Sequence, residues 1–377
     1  MRQDLLIYTA ALANTFPGRL STLREVVDLF GDAEKLFACT PEEAVEICPG
    51  IRSFSDRLYS AEALKTAEKE IMWAESHGLE ILCHTDRKYP SRLKECPDAP
   101  LILYKRGCAS LSGKRMVAIV GTRAATQQGK RYCDSIIERL AELDVKPVVV
   151  SGLALGIDTY AHSFALRYGL KTIAVMGTGF NQIYPASNEN LADKIVEDGA
   201  LVSEFSPFMP SLPHNFVRRN RIIAGLSDCI LLVESRVKGG GLITADFGMH
   251  YNRSVFAVPG RIDDNSFKGC NALIENNIAS IVTGGESIIK GMNWDIVPKQ
   301  LQLDFSSDDD RDTQCNDTGK TDIKHLIIRY IENHPECDIA QIAEWMGTLT
   351  QNLAMPMLEL EMAGRITVVA GNRYCVR

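Results

Sequence analysis

Between residues 115 and 297 the chain repeats one pattern, a short unbroken apolar run followed by a longer stretch with helical spacing. The runs are MVAIV (116–120), PVVVS (147–151), KTIAVM (171–176), ALVSEF (200–205), CILLVE (229–234), VFAVP (255–259) and ASIVT (279–283). They lack the polar alternation of a half-solvated strand, so they read as strands covered on both faces. Stretches of helical pattern lie between most of them: Gly129–Leu143, Thr159–Tyr168, Asn188–Asp198 and Leu242–Tyr251. This alternation predicts an α/β fold with a doubly wound, mostly parallel sheet.

The flanks read differently. Residues 1–75 form short helical segments broken at TFPG, FGDAE and CPGI. Cys48-Pro49-Gly50-Ile51 has the form of a helix-hairpin-helix turn, a module that binds phosphate through backbone N–H groups. It lacks the usual second glycine, which favours a small helical packing domain. Residues 76–114, with YPSRL and DAPLILY, read as an extended lead-in to the sheet. Residues 298–319 read as an acidic linker. Residues 320–377 contain about three helical segments and a hairpin, ITVVAGNRYCV, with Gly371-Asn372 at its turn, an order that predicts a winged-helix-like domain. Its expected reading helix, within Met346–Gly364, has no Lys or Arg, carries Glu359 and Glu361, and is interrupted or started by Pro356. The module therefore reads as a protein-binding or packing unit.

Composition is that of an ordinary globular protein, with 377 residues, 45% hydrophobic and 24% charged. No apolar run is long enough to span a bilayer, and the first residues lack a secretory signal pattern, so neither membrane insertion nor secretion is expected. Eleven cysteines are scattered without a C-x-x-C pair, which predicts reduced thiols, a cytoplasmic location, and neither a bound metal nor a disulfide framework. The net charge of −7 is unevenly spread. Residues 115–295 are neutral, with 18 basic and 18 acidic residues, whereas 296–377 hold 8 against 13. Six aspartates between Asp304 and Asp317 account for much of the excess, so the average hides any local basic patch.

Such a patch stands at FVRRNRIIAGLS (216–227). Arg218, Arg219 and Arg221 surround Asn220, and an apolar helical segment follows. Guanidinium forks match phosphate oxygens, and this spacing predicts that they sit exposed at a helix N-terminus, where free N–H groups also favour an anion. Glycine-rich stretches follow four of the strands: Gly121-Thr122-Arg123, SGLALGID (151–158), Gly177-Thr178-Gly179 and KGGGLIT (238–244). Ligands of open α/β sheets bind beyond the carboxyl ends of the strands, and glycines there let backbone approach a phosphate chain. No G-x-G-x-x-G, P-loop, H-x-E or C-x-x-C pattern accompanies them, which excludes a dinucleotide fingerprint and a zinc deaminase and leaves no cofactor to expect. Asp158 and His162, four apart, read as a cap and a packed histidine rather than an acid/base couple.

The ordered array GTR (121–123), SGLALGID (151–158), GTGFNQIYP (177–185), RRNRIIAGLS (218–227), GGGLITA (239–245), VFAVPG (255–260) and GCNALI (269–274) resembles the DNA-processing protein A (DprA/Smf) family. The resemblance implies an extended Rossmann-like domain that dimerises, binds single-stranded DNA and helps load the RecA recombinase during natural transformation. It implies DNA contacts from Gly121, Thr122, Arg123, Ser151, Gly152, Gly177, Gly179, Arg218, Arg219, Asn220, Arg221, Gly240, Thr244 and Lys268, with no catalytic residue. Many family members carry a basic residue where this chain has Leu155, so the pocket is expected either to be weaker or to use Lys130, Lys238 or Lys268 instead. The alternative is an enzyme: GGGLIT also resembles the PGGxGTxxE loop of nucleotide phosphoribohydrolases. That chemistry wants a Glu three residues after Thr244, where Phe247 stands, and Asp246 is displaced by one.

Overall fold

The computed structural model describes residues 2–15, 20–295, 323–334, 337–346, 348, 350–369 and 373–376. They fall into two compact units, 1–299 and 300–377. The acidic stretch 298–319 and the hairpin turn Gly371-Asn372 lie outside the described residues.

A nine-stranded sheet organises the first unit. Its strands are β1 (Glu80–Cys83), β2 (Ile102–Arg106), β3 (Met116–Val120), β4 (Val148–Ser151), β5 (Thr172–Val175), β6 (Ala200–Ser203), β7 (Cys229–Leu232), β8 (Ser254–Ala257) and β9 (Ser280–Ile281), in the order β1-β2-β6-β5-β4-β3-β7-β8-β9. All seven apolar runs become strands, and β3 to β9 pair in parallel. Every residue of β3, β4, β5, β6 and β7 is buried, as the unbroken apolar runs require. The stretch expected as a lead-in instead supplies two strands. β1 pairs with β2 and β2 with β6, both antiparallel, with Tyr104 opposite Ser203. ILYKR starts apolar but ends in Lys105-Arg106, and its place at the sheet could not be read from local pattern.

From β3 the chain builds outward through β4, β5 and β6, then returns to lay β7 against the other side of β3. The strand order therefore reverses between β3 and β7. Loops leaving the carboxyl ends of these two strands diverge to opposite sides and open a crevice.

Short helices cover the amino-terminal side, from Arg2–Thr15 to Ala61–Ser76. The CPGI turn is a packed 3-10 turn, Pro49–Ile51, with Cys48 and Ile51 fully buried. The Glu25 carboxylate lies 3.1 Å from where a Cβ on Gly50 would stand, so the turn faces a negative charge rather than open donors.

His162 is fully buried between the loop after β4 and strand β5. Leu153 takes a left-handed backbone, φ 57°, and its N–H donates to His162 Nε2 at 3.3 Å. Nδ1 therefore carries the proton and donates to Thr172 Oγ1 at 2.7 Å, while Thr172 donates to the Val149 carbonyl at 2.9 Å. Asn188 Nδ2 closes the network on the Leu153 carbonyl at 2.9 Å. The histidine is packed, as expected. Asp158 is not a helix cap: its carboxylate accepts from the Gly152 N–H at 3.1 Å.

In the second unit, helices Ile323–Asn333, Ile339–Met346 and Thr350–Met362 pack with a small sheet of β10 (Cys337–Asp338), β11 (Ile366–Val369) and β12 (Arg373–Val376), ordered β10-β12-β11. Ile327, Ile331, Ile342, Leu353 and Met357 form its core. Pro356 lies inside the helix Thr350–Met362 and neither starts nor ends it.

Burial of His162 makes stability pH-dependent. Burial lowers its pKa to about 3 from the ordinary 6.5. Between those values the unfolded chain binds a proton that the folded chain refuses, so this contribution is complete above about 6.5 and is lost as pH falls. Urea midpoints of the wild type should fall across this window more steeply than those of His162→Gln. Parallel pH profiles would show that His162 is not held neutral.

Candidate nucleic-acid interface

At the crevice between β3 and β7 lies a cleft of about 410 Å³, within the range of ordinary ligand sites. Val120–Ala124 after β3 form one wall and Arg236–Gly241, with Ile243 and Thr244, the other, leaving out Val237. The helix Pro213–Leu226 supplies Phe216, Arg219 and Asn220 from below.

The arginines do not stand at the start of that helix. Pro213 does, after the uncapping residue Leu212, and Arg218, Arg219 and Arg221 occupy its middle turns. Arg218 and Arg221, three residues apart, share a helix face. Both donate to one oxygen of Glu204, at 2.8 and 2.5 Å, and the Glu204 side chain is 3% exposed. Arg221 is itself buried and Arg218 only partly exposed, so the pair clamps the helix through a shared carboxylate that offsets one of its two charges. The notion of three exposed phosphate-binding arginines is corrected accordingly.

Arg219 points the other way and is 3% exposed. Its Nη1 donates to the carbonyls of Gly152 and Val175, at the carboxyl ends of β4 and β5. Its Nε donates to Asn220 Oδ1 at 3.2 Å, and Asn220 Nδ2 reaches the Gly240 carbonyl at 3.5 Å. A Cβ on Gly152 would collide with the guanidinium, so this glycine makes room for Arg219 rather than for a ligand. Burial lowers the Arg219 pKa to about 10; Asp158 opposes the shift and Arg123 adds to it, so Arg219 remains charged at neutral pH. Burial raises the Asp158 pKa while Arg219 opposes it.

The exposed cations of the cleft are Arg123, Arg236 and Lys238. Arg123 lies over the Phe216 ring, 5.9 Å from its centroid, and Tyr184 flanks the same ring at 5.0 Å. The helix N-terminus at the site belongs to Gly240–His250. Gly239 gives it no side-chain cap, and Gly240 has open space where a Cβ would be. Its free N–H groups and dipole therefore favour an anion. The helix after β3, Gln127–Ala141, offers no such end: Thr126 caps it at 3.0 Å, and Glu234 accepts from the Thr126 N–H and hydroxyl, both at 3.0 Å.

Of the residues expected at the site, Gly121, Thr122, Arg123, Arg219, Asn220, Gly240 and Thr244 meet in the cleft. Ser151 is fully buried and donates to the Ile119 carbonyl at 2.6 Å. Gly177 backs onto the Phe216 ring and Gly179 onto Ser206 and Pro207, so their loop does not line the cleft. Lys268 is exposed at the start of Lys268–Glu275 and lies outside the cleft lining. Phe216 and Arg236 were missed, although Arg236 falls two residues before Lys238 in a stretch already marked by its glycines. Among the described residues, no group of three or more His, Cys, Asp and Glu could hold a metal ion. No described helix is long and apolar enough to cross a membrane.

The family model for DNA recombination-mediator protein A matches residues 80–293, the span that carries the sheet and the cleft. The chain belongs to that family. Protein Smf of Escherichia coli is 34% identical over 318 residues, covering 83% of this chain and 82% of its own length. The X-ray structure of DNA processing protein A from Streptococcus pneumoniae superposes with a TM-score of 0.63 at 30% identity, covering 77% of this chain and 97% of that one. A Helicobacter pylori structure, described for its single-stranded DNA binding mode, gives 0.52 at 28% identity over 58% and 96% of the two chains. The mixed α/β fold with a mostly parallel sheet is thus a family property, and the glycine loops and Arg218, Arg219 and Arg221 fall within the matched span.

The two kinds of arginine separate experimentally. Arg219→Ala leaves the Gly152 and Val175 carbonyls unpaired, at about 1–3 kcal/mol for each such group. Glu204→Ala leaves the buried Arg221 and the partly exposed Arg218 without their carboxylate, at about 3–5 kcal/mol. Arg123→Ala should stay within about 0.5 kcal/mol of the wild type. Urea unfolding gives the ranking, and equal stability of all four proteins would refute the assigned roles.

Proposed function

We propose that the switch-point cleft binds single-stranded DNA, without catalysis, and that the protein protects the strand and hands it to the RecA recombinase during natural transformation. One observation carries the reading: Arg123, Arg236 and Lys238 converge, exposed, on the uncapped N-terminus of Gly240–His250. Cations with free backbone N–H groups suit a phosphate chain and read no base sequence. The half-buried Phe216 ring beneath Arg123 offers a face for an unstacked base, which a duplex does not present. The single-strand binding described for the Helicobacter pylori relative supports the same ligand. The family description as a recombination mediator supports the RecA step.

The reading includes a cytoplasmic homodimer. The ten described cysteines are all free thiols, which suits a reducing compartment. Edge strand β9 carries the half-exposed Ile281 and can meet a second copy. The second unit, with three helices and a three-stranded sheet, is read as a winged-helix-like protein contact. The enzyme alternative loses ground because Asp246 lies outside the cleft lining, 61% exposed and 3.7 Å from His250.

Fluorescence anisotropy tests the binding reading. Single strands should bind more tightly than duplex of equal length, and affinity should fall with salt. Arg123→Ala should weaken binding about ten-fold, from the loss of a charged hydrogen bond of about 1.5–3 kcal/mol. Equal affinity for both forms, or unaltered binding by a folded Arg123/Arg236 double variant, would overturn it. Release of free base from nucleoside monophosphates would instead establish the enzyme. Removal of residues 300–377 should leave single-strand affinity intact; a large drop would place DNA contacts in the second unit.

A further inference from the structure

The cleft is not the end of the basic surface. Gly156, with φ 80°, brings the loop after β4 so close to the first wall that a Cβ there would collide with the carbonyl oxygens of Thr122 and Arg123. The Ile157 N–H donates to the Thr122 carbonyl at 3.1 Å, starting the helix Ile157–Arg167 directly beside Arg123. One turn on, the Tyr160 N–H donates to the Gly156 carbonyl at 3.1 Å, and the Tyr160 ring is half-buried on that helix. Lys130, from the neighbouring helix Gln127–Ala141, places its ammonium 5.0 Å from the centre of this ring. Arg123, Gly156, Tyr160 and Lys130 thus form a continuous path leading out of the cleft.

Lys130 has no carboxylate partner among the described residues. The acid one turn further along its helix, Asp134, is engaged by Arg167 at 3.7 Å and by the Tyr168 hydroxyl at 2.9 Å. A half-exposed aromatic ring with an unneutralised ammonium against it suits one nucleotide, with the base against the ring and the phosphate beside the cation.

We propose that Lys130 and Tyr160 form a second subsite for single-stranded nucleic acid, occupied by the part of the strand that leaves the cleft past Arg123. The inference rests on the cleft being the primary site. It assigns to this pair the extension of the footprint, and it predicts a dependence on strand length that the cleft alone does not give.

The experiment uses the full chain and oligothymidylates of about 4 and about 12 residues, within the range of single-strand site sizes. Lys130→Ala should weaken the longer strand and lower its salt slope by about 0.7, the value of one phosphate contact on a single strand. Tyr160→Ala should weaken it about five-fold or more without changing that slope, and Tyr160→Phe should restore it, because stacking needs only the ring. Neither change should alter affinity for the shorter strand. Because Tyr160 also packs beside Phe164, thermal melting accompanies each variant, and Lys130→Ala carries the test if Tyr160→Ala unfolds. Unchanged affinity and slope on the longer strand in folded Lys130→Ala would overturn the subsite. If Arg123→Ala still weakens binding in that case, the cleft stands and only its extension falls. Equal losses on both strand lengths would place Lys130 in the cleft and also refute a separate subsite. Absence of single-strand binding by the wild type would sink both.

Discussion

The buried guanidinium of Arg219 is the constraint around which the site is built. It ends β4 and β5 by donating to carbonyls that no further strand residue pairs, and it holds a positive charge at the floor of the crevice. A charge in such a place needs partners on every side. The strand-end carbonyls, Asn220 and the nearby Asp158 supply them. Gly152 must be glycine to admit the group, and Asn220 then links it to the loop that opens Gly240–His250. Floor and wall are thus one hydrogen-bonded unit, and the outer cations stand on it.

A division of labour follows among basic residues that look alike in sequence. Arg218 and Arg221 secure the helix to Glu204 on the side away from Arg219. Arg123, Arg236 and Lys238 keep their charge exposed for a ligand. The two groups answer to different energies, since a buried pair loses several kcal/mol when one partner goes, whereas an exposed cation contributes little to folding and much to binding. Competition between helix ends is settled the same way. Glu234 and Thr126 close the terminus after β3, and the terminus after β7 is left open to an anion.

The central strands were legible because full burial forces unbroken apolar runs, as in β3 to β7, and the outer β8 and β9 also fall on such runs although β9 is exposed. β1 and β2 were not, since their place beside β6 is a long-range pairing with no local mark. The glycine loops and Arg123 were legible as strand-end features. The fate of Arg218 and Arg221 was hidden because helical spacing puts them on one face without telling what lies opposite. Glu204, fourteen residues before Arg218, decides it. Ser151 and Gly177 looked like ligand donors, yet one completes a strand carbonyl and the other makes room for a ring, and both needs arise only in the packed structure.

Amide hydrogen exchange with and without a saturating single-stranded oligonucleotide tests the central claim most directly, since it reports the backbone N–H groups assigned to the phosphates. The account predicts added protection at Gly240 and Gly241, the open helix terminus of the cleft, and at Arg123 on the facing wall. Protection confined to the second unit, or to the amino-terminal helices, with both cleft walls unchanged, would contradict it.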